Sequence, residues 1–270
     1  MTENSATGPA PLAVVTGAST GIGRAMADEL VERGYDVVIV ADEPAIEEAG
    51  QQLSGRGREV VAVRADLAGA AGVEQVHKRV RATGRTPDAL LLNAGVGVGG
   101  RFDLTALEDQ LRLVDLNVRS TVHLARLVVG DMVAAGHGRV LVTSSIAAVA
   151  PGPYHSTYAA SKAFVHSFAE GIREELKDTG VTVTSLMPGP TDTEFFTRAD
   201  MEDTPIGQMK GKDDPAVVAR EGIDAMEAGK PSVVAGSVKN KLQAEAGTHM
   251  PDALAAPLFA RATKPQDRPD

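Results

Sequence analysis

Residues 12–23 read LAVVTGASTGIG, and this stretch decides the fold of the chain. Five apolar or small residues lead directly into glycines, which is the pattern of a buried strand that meets a turn. Residues 22–33 then place apolar side chains at helical spacing until Gly34, so a helix follows the turn. Such a strand–turn–helix unit suits a pyrophosphate, because glycines admit the ligand and the helix start offers unpaired N–H groups. From this loop alone a structural turn, another nucleotide or a methyl donor stays open.

Outward from this unit, apolar strands alternate with helical segments along the chain. Strands are predicted at 12–16, 37–41, 60–63, 89–92, 140–143, 181–187 and 232–235, and helices at about 22–33, 45–53, 72–82, 105–135, 157–177 and 215–228. Repeated β–α alternation predicts an α/β fold, a Rossmann-like doubly wound parallel sheet of about seven strands with helices on both faces. One domain over residues 11–236 is expected.

Three segments fall outside the alternation. Residues 1–10 are small and polar, and a disordered N-terminus is predicted for them. Residues 189–214 replace regular periodicity with Pro, Thr, Asp and a Phe195-Phe196 pair, and are interpreted as a lid. Residues 237–270 have a weak pattern and several prolines, which indicates a C-terminal extension that is irregular or part of the same domain.

Composition narrows the function classes. A formal net charge of -9 argues against nucleic acid, whose binding needs a basic face. The absence of Cys excludes disulfides and thiolate metal sites, and the six His residues show no HExxH-like pair, so no metal is expected. No signal-like or membrane-spanning apolar run is present, and we expect a cytoplasmic protein without membrane partners.

The spacing of the loop glycines, Gly17, Gly21 and Gly23, resembles the short-chain dehydrogenase/reductase family, in the branch whose loop reads TGxxxGIG. The resemblance implies a nicotinamide cofactor bound by the loop residues Gly17, Ser19, Thr20, Gly21, Ile22 and Gly23. Further motifs of the family follow in order. Asp66-Leu67 is implied to meet the adenine ring, Asn93-Ala94-Gly95 the adenosine ribose, and Pro188-Gly189 with Thr191 and Thr193 the nicotinamide amide and the phosphates.

The family's Tyr-x-x-x-Lys motif matches Tyr158 and Lys162, an i, i+4 pair on one face of a predicted helix. A phenol has a pKa near 10 and is a poor acid or base at neutral pH. A cation about 4 Å away contributes roughly 4 kcal/mol at an effective dielectric near 20, which predicts a phenol pKa near 7. The resemblance makes Tyr158 the catalytic acid/base, and both side chains also cofactor contacts.

Two further catalytic residues are implied by the resemblance. Ser145, thirteen residues before Tyr158, matches the serine that orients the reacting oxygen, although it also suits a simple strand end and turn. Asn117 interrupts an apolar helical stretch and matches the asparagine that distorts this helix and holds a water against the lysine. The alternative is a tolerated polar residue on a helix.

The end of the second strand bears on the choice between NAD and NADP. Asp42 supplies a carboxylate there, which accepts from a ribose hydroxyl and repels a 2′-phosphate, so NAD is predicted with NADP possible. NAD users of the family usually carry this acidic residue one position earlier in the sequence. If NADP is the cofactor, Arg24 and Arg64 are the candidate phosphate partners, although the preferred interpretation of both is an ordinary exposed arginine on a helix and at a strand end.

These features together predict an NAD(P)-dependent oxidoreductase that interconverts a secondary alcohol and a ketone, as a homodimer or homotetramer by resemblance. The expected substrate pocket is apolar or mixed, with Ile146, Val149, Pro153, His155, Met187, Phe195, Phe196, Ile206 and Met209, although these also suit ordinary lid and core positions. An NADPH-dependent ketoreductase of biosynthesis and a non-catalytic dinucleotide sensor are the rival hypotheses. A methyltransferase ranks below them, because it has no use for Tyr158 with Lys162.

Overall fold

A computed structural model describes residues 9–266, and within them the seven predicted strands form one parallel sheet. The strands are β1 (Leu12–Thr16), β2 (Asp36–Ala41), β3 (Val60–Arg64), β4 (Ala89–Leu92), β5 (Gly138–Thr143), β6 (Val181–Pro188) and β7 (Ser232–Ala235). Their order is β3-β2-β1-β4-β5-β6-β7. The winding direction changes between β1 and β4, and in such sheets ligands bind outside the carboxyl ends of the strands at this point.

Ten α-helices surround the sheet in the described part of the chain. They are α1 (Gly21–Glu32), α2 (Ala45–Ser54), α3 (Ala70–Arg81), α4 (Leu107–Val114), α5 (Ser120–Ala135), α6 (Ser156–Glu175), α7 (Phe195–Arg198), α8 (Pro215–Glu227), α9 (Val238–His249) and α10 (Asp252–Thr263). A π-helical turn, Asp115–Arg119, joins α4 to α5, and 3-10 turns cover Phe102–Leu104 and Ile146–Val149. The predicted α/β architecture is confirmed.

Alternate residues of the buried strands face opposite sides of the sheet, as a period of two requires. Val14 and Leu90 belong to the core that α3, α5 and α6 cover, whereas Val15 and Leu91 belong to the core under α1, α2 and α8. Burial on both faces explains why the strands read as continuous apolar runs.

The C-terminal extension differs from its prediction. The residues beyond 236 were expected to be irregular or part of the same domain, and α9 and α10 occupy most of those that the structure describes, so the irregular alternative was wrong. Pro251 precedes α10 and Pro257 lies within it, so prolines did not prevent a helix here. Main-chain hydrogen bonds tie α10 and the residues after it to the lid, from Ile206 N–H to Ala262 O and from Gln266 N–H to Asp203 O.

The other two segments differ less from their predictions. The lid contains one short helix, α7, and its two ends meet in a parallel bridge between Thr191 and Asp213. The predicted disorder of residues 1–10 lies, for residues 1–8, outside the part of the chain that the structure describes. Among the helices of residues 9–266, none is long and apolar enough to cross a bilayer.

Candidate active site

A continuous cleft of about 400 Å³ runs along the carboxyl ends of the strands. Its walls include every predicted cofactor-binding residue, namely Gly17, Ser19, Thr20, Gly21, Ile22, Gly23, Asp42, Asp66, Leu67, Asn93, Ala94, Gly95, Tyr158, Lys162, Pro188, Gly189, Thr191 and Thr193. Ser145 also lines the cleft, whereas Asn117 lies behind the wall. The fold thus brings residues from distant parts of the sequence to one edge of the sheet.

The glycine loop presents bare backbone to this cleft. Gly17 and Gly21 adopt positive φ angles of 67° and 58°, a conformation that glycine reaches without a steric penalty. A Cβ atom on Gly23 would overlap the carbonyl oxygen of Gly17, so α1 packs against the loop only because this residue is glycine. Thr20 makes no side-chain cap, so the N–H groups of the first turn of α1 remain able to bind an anion.

Asn93, which follows β4, stabilises the glycine loop by hydrogen bonds. Its side-chain Nδ2 donates to the carbonyl oxygens of Thr16 and Gly17, at 3.1 and 3.4 Å. The main-chain N–H groups of Asn93 and Ala94 donate in turn to Thr16 Oγ1, at 2.9 and 3.0 Å. The Asn93-Ala94-Gly95 turn therefore fixes the shape of the glycine loop, a contribution that the motif comparison did not anticipate.

Tyr158, Ser145 and Lys162 meet at the centre of the cleft. Ser145 Oγ donates to the carbonyl oxygen of Pro188 at 3.5 Å, and its hydroxyl lies close enough to Tyr158 to lower the pKa of the phenol. Lys162 Nζ lies 5.7 Å from the centre of the Tyr158 ring and donates to the carbonyl oxygen of Thr143 at 2.9 Å. Because Tyr158 and Lys162 lie one turn apart on α6, and Ser145 follows β5, sheet and helix together set this geometry.

Burial controls the acidity of both groups. Removal from water raises the pKa of Tyr158 to about 12, and the nearby Ser145 hydroxyl only partly opposes this rise. The same effect lowers the pKa of the Lys162 ammonium to about 8. The predicted phenol pKa near 7 was therefore wrong for this arrangement, since desolvation of the phenol dominates. At neutral pH, Tyr158 is a proton donor.

Ser145 and Asn117 also serve the local structure. Ser145 Oγ accepts a hydrogen bond of 3.1 Å from Ala147 N–H and so begins the 3-10 turn Ile146–Val149. Asn117 Nδ2 donates to Val96 O at 2.9 Å and to Ser161 Oγ at 3.0 Å, and its Oδ1 accepts from Val96 N–H at 2.9 Å. The π-helical turn around Asn117 is the helix distortion that the resemblance implied. A water relay at Asn117 remains a prediction.

Charged side chains surround the end of the cleft beside β2 and β3. Arg112 pairs with Asp66 at 2.9 Å and with Asp42 at 3.2 Å. Glu43 accepts a 2.5 Å hydrogen bond from Ser19 Oγ and pairs with Arg198 of α7 at 3.2 Å, and these contacts lower the pKa of its carboxyl group. A ligand at this end therefore meets carboxylates that already have cationic partners.

Arg112 and Arg198 were missed by the sequence reasoning, which had named Arg24 and Arg64 as phosphate partners. Neither of these two lines the cleft: Arg24 pairs with Asp28 on α1, and Arg64 donates to the carbonyl oxygen of Asp42. No sequence signal marked Arg112 or Arg198, because helix α4 and the lid bring them to the cleft from outside the motifs.

The other end of the cleft is largely apolar. Of the predicted pocket residues, Ile146, His155, Phe195, Phe196 and Ile206 line it, whereas Val149, Pro153, Met187 and Met209 do not. Met187 instead packs with Ile146 and Ala244 below the wall. The Phe195 ring lies 5.0 Å from the Tyr158 ring, centre to centre. Gln243 of α9 and Phe259, Ala262 and Thr263 of α10 complete this end, so the C-terminal helices shape the pocket.

Comparison with known proteins agrees with this geometry. The family model described as short chain dehydrogenase matches residues 11–203. Oxidoreductase UcpA of Salmonella typhimurium is 29% identical over 210 residues, which cover 77% of this chain and 77% of that protein.

Two solved structures share the fold of this chain. A short-chain dehydrogenase from Sphingobium yanoikuyae in complex with NADPH has a TM-score of 0.78 and 27% identity, covering 96% of this chain and 98% of that one. The 3-ketoacyl-(acyl-carrier-protein) reductase from Brucella melitensis complexed with NADH has a TM-score of 0.72 and 25% identity, covering 83% of this chain and 96% of that one.

Proposed function

The chain belongs to the short-chain dehydrogenase/reductase family and is an oxidoreductase, and from this premise we propose that it interconverts a secondary alcohol and a ketone with NAD or NADP. The observation that carries the proposal is the meeting of Tyr158, Ser145 and Lys162 in the same cleft as the glycine loop. A non-catalytic dinucleotide sensor would need the loop but not a half-buried phenol beside an ammonium.

The residues of the cleft fit a nicotinamide dinucleotide. The uncapped first turn of α1 suits the pyrophosphate, and Thr193 of the lid lies directly over Gly21, where a Cβ atom would be 3.1 Å from Thr193 Cγ2. When bound, this cofactor supplies or accepts a hydride at its nicotinamide ring. Lys162 and Thr191 are assigned to the nicotinamide half, and Asp66 with Leu67 to the adenine.

Proton transfer is assigned to Tyr158. Ser145 Oγ orients the carbonyl oxygen of the substrate by a hydrogen bond, and the Tyr158 hydroxyl donates its proton to that oxygen as the alcohol forms. The Lys162 ammonium stabilises the resulting phenolate, which then recovers a proton. Because the pKa of Tyr158 is raised to about 12, the neutral phenol is present throughout the neutral range, and this is the protonation state that ketone reduction needs. The 3-ketoacyl-(acyl-carrier-protein) reductase among the structural relatives supports the assignment of ketone reduction.

The charged residues at the end of the cleft beside β2 and β3 bear on the choice between NAD and NADP. Asp42, Glu43 and Asp66 oppose a 2′-phosphate, and Arg112 and Arg198 are already paired with them, so we assign a preference for NAD. Preference for NADP is the second candidate, since rotation of Arg112 away from Asp42 would bring a guanidinium to the phosphate. Titration of the protein with NADH and with NADPH, read by the emission of the reduced nicotinamide, decides between them.

The catalytic assignment is tested by Tyr158→Phe. The variant should lose most ketone reduction, because no proton donor remains, while its NADH dissociation constant stays within about threefold of the wild-type value, equal to roughly 0.7 kcal/mol. Tyr154→Phe is the matched control, because Tyr154 lies in the loop before α6 and outside the cleft wall. Unchanged turnover by Tyr158→Phe would remove Tyr158 from this role.

A homodimer or homotetramer in the cytoplasm completes the proposal. Helix α4 exposes Leu107, Leu111 and Val114, and α6 exposes Phe164, so both helices present apolar side chains that a second subunit would bury. Light scattering of the purified protein tests the subunit number, and cell fractionation tests the location.

A further inference from the structure

The imidazole of His155 lies beside Tyr158 at the apolar end of the cleft. The two ring centres lie 6.0 Å apart, and His155 lines the cleft. The cleft wall around it is uncharged: it consists of Ile146, Ala147, Ala150, Pro151, Gly152, Phe195, Ile206, Gln243, Phe259, Ala262 and Thr263. A ligand that reaches Tyr158 from this end therefore meets one imidazole in a neutral surface.

The tautomer of His155 follows from its main-chain contact. Nδ1 lies 3.0 Å from the carbonyl oxygen of Pro153, and a carbonyl only accepts hydrogen bonds, so Nδ1 carries the hydrogen. Burial lowers the pKa of this imidazole from its ordinary value, which keeps the ring neutral at pH 7. In a neutral ring with hydrogen on Nδ1, Nε2 has a free lone pair and accepts.

The loop that carries His155 is held firmly. Thr263 Oγ1 of α10 donates to the same Pro153 carbonyl at 2.8 Å, and Gly100 N–H donates to Tyr154 O at 2.7 Å. Tyr154 itself has a φ of 61°, a left-handed conformation that a bulky residue keeps only where surrounding contacts enforce it. Such enforced backbone is common next to ligand sites, and here it fixes the direction of the imidazole.

We propose that His155 Nε2 accepts a hydrogen bond from a hydroxyl group of the substrate, one or two carbons from the reacting carbon. The substrate class is then a neutral hydroxyketone and its diol, with an apolar remainder that packs against Phe195 and Phe259. This inference rests on the proposed alcohol–ketone chemistry and narrows it. Thr263 acts as a positioning residue, because it holds the carbonyl that fixes the imidazole.

The test compares cyclohexanone with 2-hydroxy- and 3-hydroxycyclohexanone and with their methyl ethers. For the wild type, kcat/KM should be about three- to tenfold higher for at least one hydroxyketone than for cyclohexanone, the usual effect of one hydrogen bond between neutral groups. The corresponding methyl ether should lose this preference, since it retains the oxygen but has no hydrogen to donate. An ether as good as the hydroxyketone would mean that Nε2 donates, and would overturn the inference.

Variants locate the effect at His155. His155→Leu should lower the ratio of kcat/KM for the hydroxyketone to kcat/KM for cyclohexanone by about three- to tenfold, whatever the change in the two separate rates, because the hydrogen bond acts on the hydroxyketone alone. His155→Gln, which retains an acceptor, should keep part of the preference. His249→Leu is the control, because that histidine is exposed on α9 and lies outside the cleft wall. Equal loss of both activities in His155→Leu would indicate a structural role and contradict the inference.

The tautomer has a test that needs no turnover. Long-range nitrogen–proton correlation spectra distinguish the two ring nitrogens, and the His155 signals are those missing from His155→Leu. Hydrogen on Nδ1 supports the inference, and hydrogen on Nε2 of the neutral ring overturns it. If the spectra show hydrogen on Nδ1 but cyclohexanone and all hydroxyketones are inert, the alcohol–ketone proposal fails, and the hydroxyketone assignment fails with it. If cyclohexanone is reduced without any hydroxyl preference, only the inference fails.

Discussion

Replacement of Lys162 by Met should make the protein more stable and less active at once. Lys162 is only 6% exposed, and burial lowers the pKa of its ammonium from the ordinary 10.5 to about 8. One pKa unit corresponds to about 1.4 kcal/mol, so the charge destabilises the folded state by roughly 3 kcal/mol at pH 7. Met fills a similar volume, but the hydrogen bond to Thr143 O is lost, which costs about 1–2 kcal/mol. A net gain of about 1–2 kcal/mol remains.

The stability difference between Lys162→Met and the wild type should depend on pH. The folded pKa lies below the unfolded one, so the penalty is complete below pH 8 and disappears as pH rises from about 8 to 10.5. Urea unfolding of both proteins at pH 7 and at pH 10 should therefore show an advantage of Lys162→Met that shrinks at the higher pH. Lys177→Met is the control, because Lys177 is exposed and pairs only with Glu174, and its effect should be below about 0.5 kcal/mol. A variant that is less stable than the wild type at pH 7, or a difference independent of pH, would refute the reasoning.

Four further predictions concern turnover and cofactor binding. Ser145→Ala should lower kcat for ketone reduction by about 10²- to 10³-fold, since the reacting oxygen loses its hydrogen-bond donor; steady-state kinetics measures this, and a loss below tenfold would contradict the role. Gly23→Ala should abolish NADH binding in a fluorescence titration, whereas Gly171→Ala, with nothing within 4 Å of the added carbon, should bind NADH normally and unfold at a slightly higher temperature. Asp42→Asn should tighten NADPH binding about tenfold, a gain of about 1.4 kcal/mol, because one carboxylate fewer opposes the phosphate; unchanged NADPH affinity would exclude Asp42 as the discriminating residue. The rate of ketone reduction should fall as pH rises through about 8, where the ammonium of Lys162 is lost, and a rate that rises there would contradict the assignment.

The strand and helix pattern was predictable because each strand is buried on both faces and each covering helix has one apolar face. Val14 and Val15 face opposite cores, and the sequence shows this as an uninterrupted apolar run. The helices within residues 237–266 were not predicted for a related reason. Helices α9 and α10 expose Val238, Leu242 and Leu254, so their apolar residues do not form the one-sided pattern that marks a core helix.

The motif residues of the site were also predictable, since a parallel sheet brings the carboxyl ends of its strands to one edge. The features of the site that the sequence did not reveal are contacts between residues that are far apart in the chain and close in the fold. Arg112 and Arg198 reach the cleft from a helix and a lid, and their carboxylate partners lie 46 and 155 residues away in the chain. The pKa of Tyr158 was misjudged for a similar reason, because spacing gives the neighbour Lys162 but not the loss of water around both groups.

Hydride transfer itself is measured most directly with a reduced cofactor that carries deuterium at the transferable position of its nicotinamide ring. The protein is incubated with this NADH and with cyclohexanone and 2-hydroxycyclohexanone, and mass spectrometry of the alcohols reads the isotope. We expect a product one mass unit heavier, with deuterium on the carbinol carbon, from the wild type and almost none from Tyr158→Phe. If the labelled cofactor binds but neither ketone acquires deuterium, with labelled NADPH giving the same result, the protein is a dinucleotide-binding protein without the proposed activity.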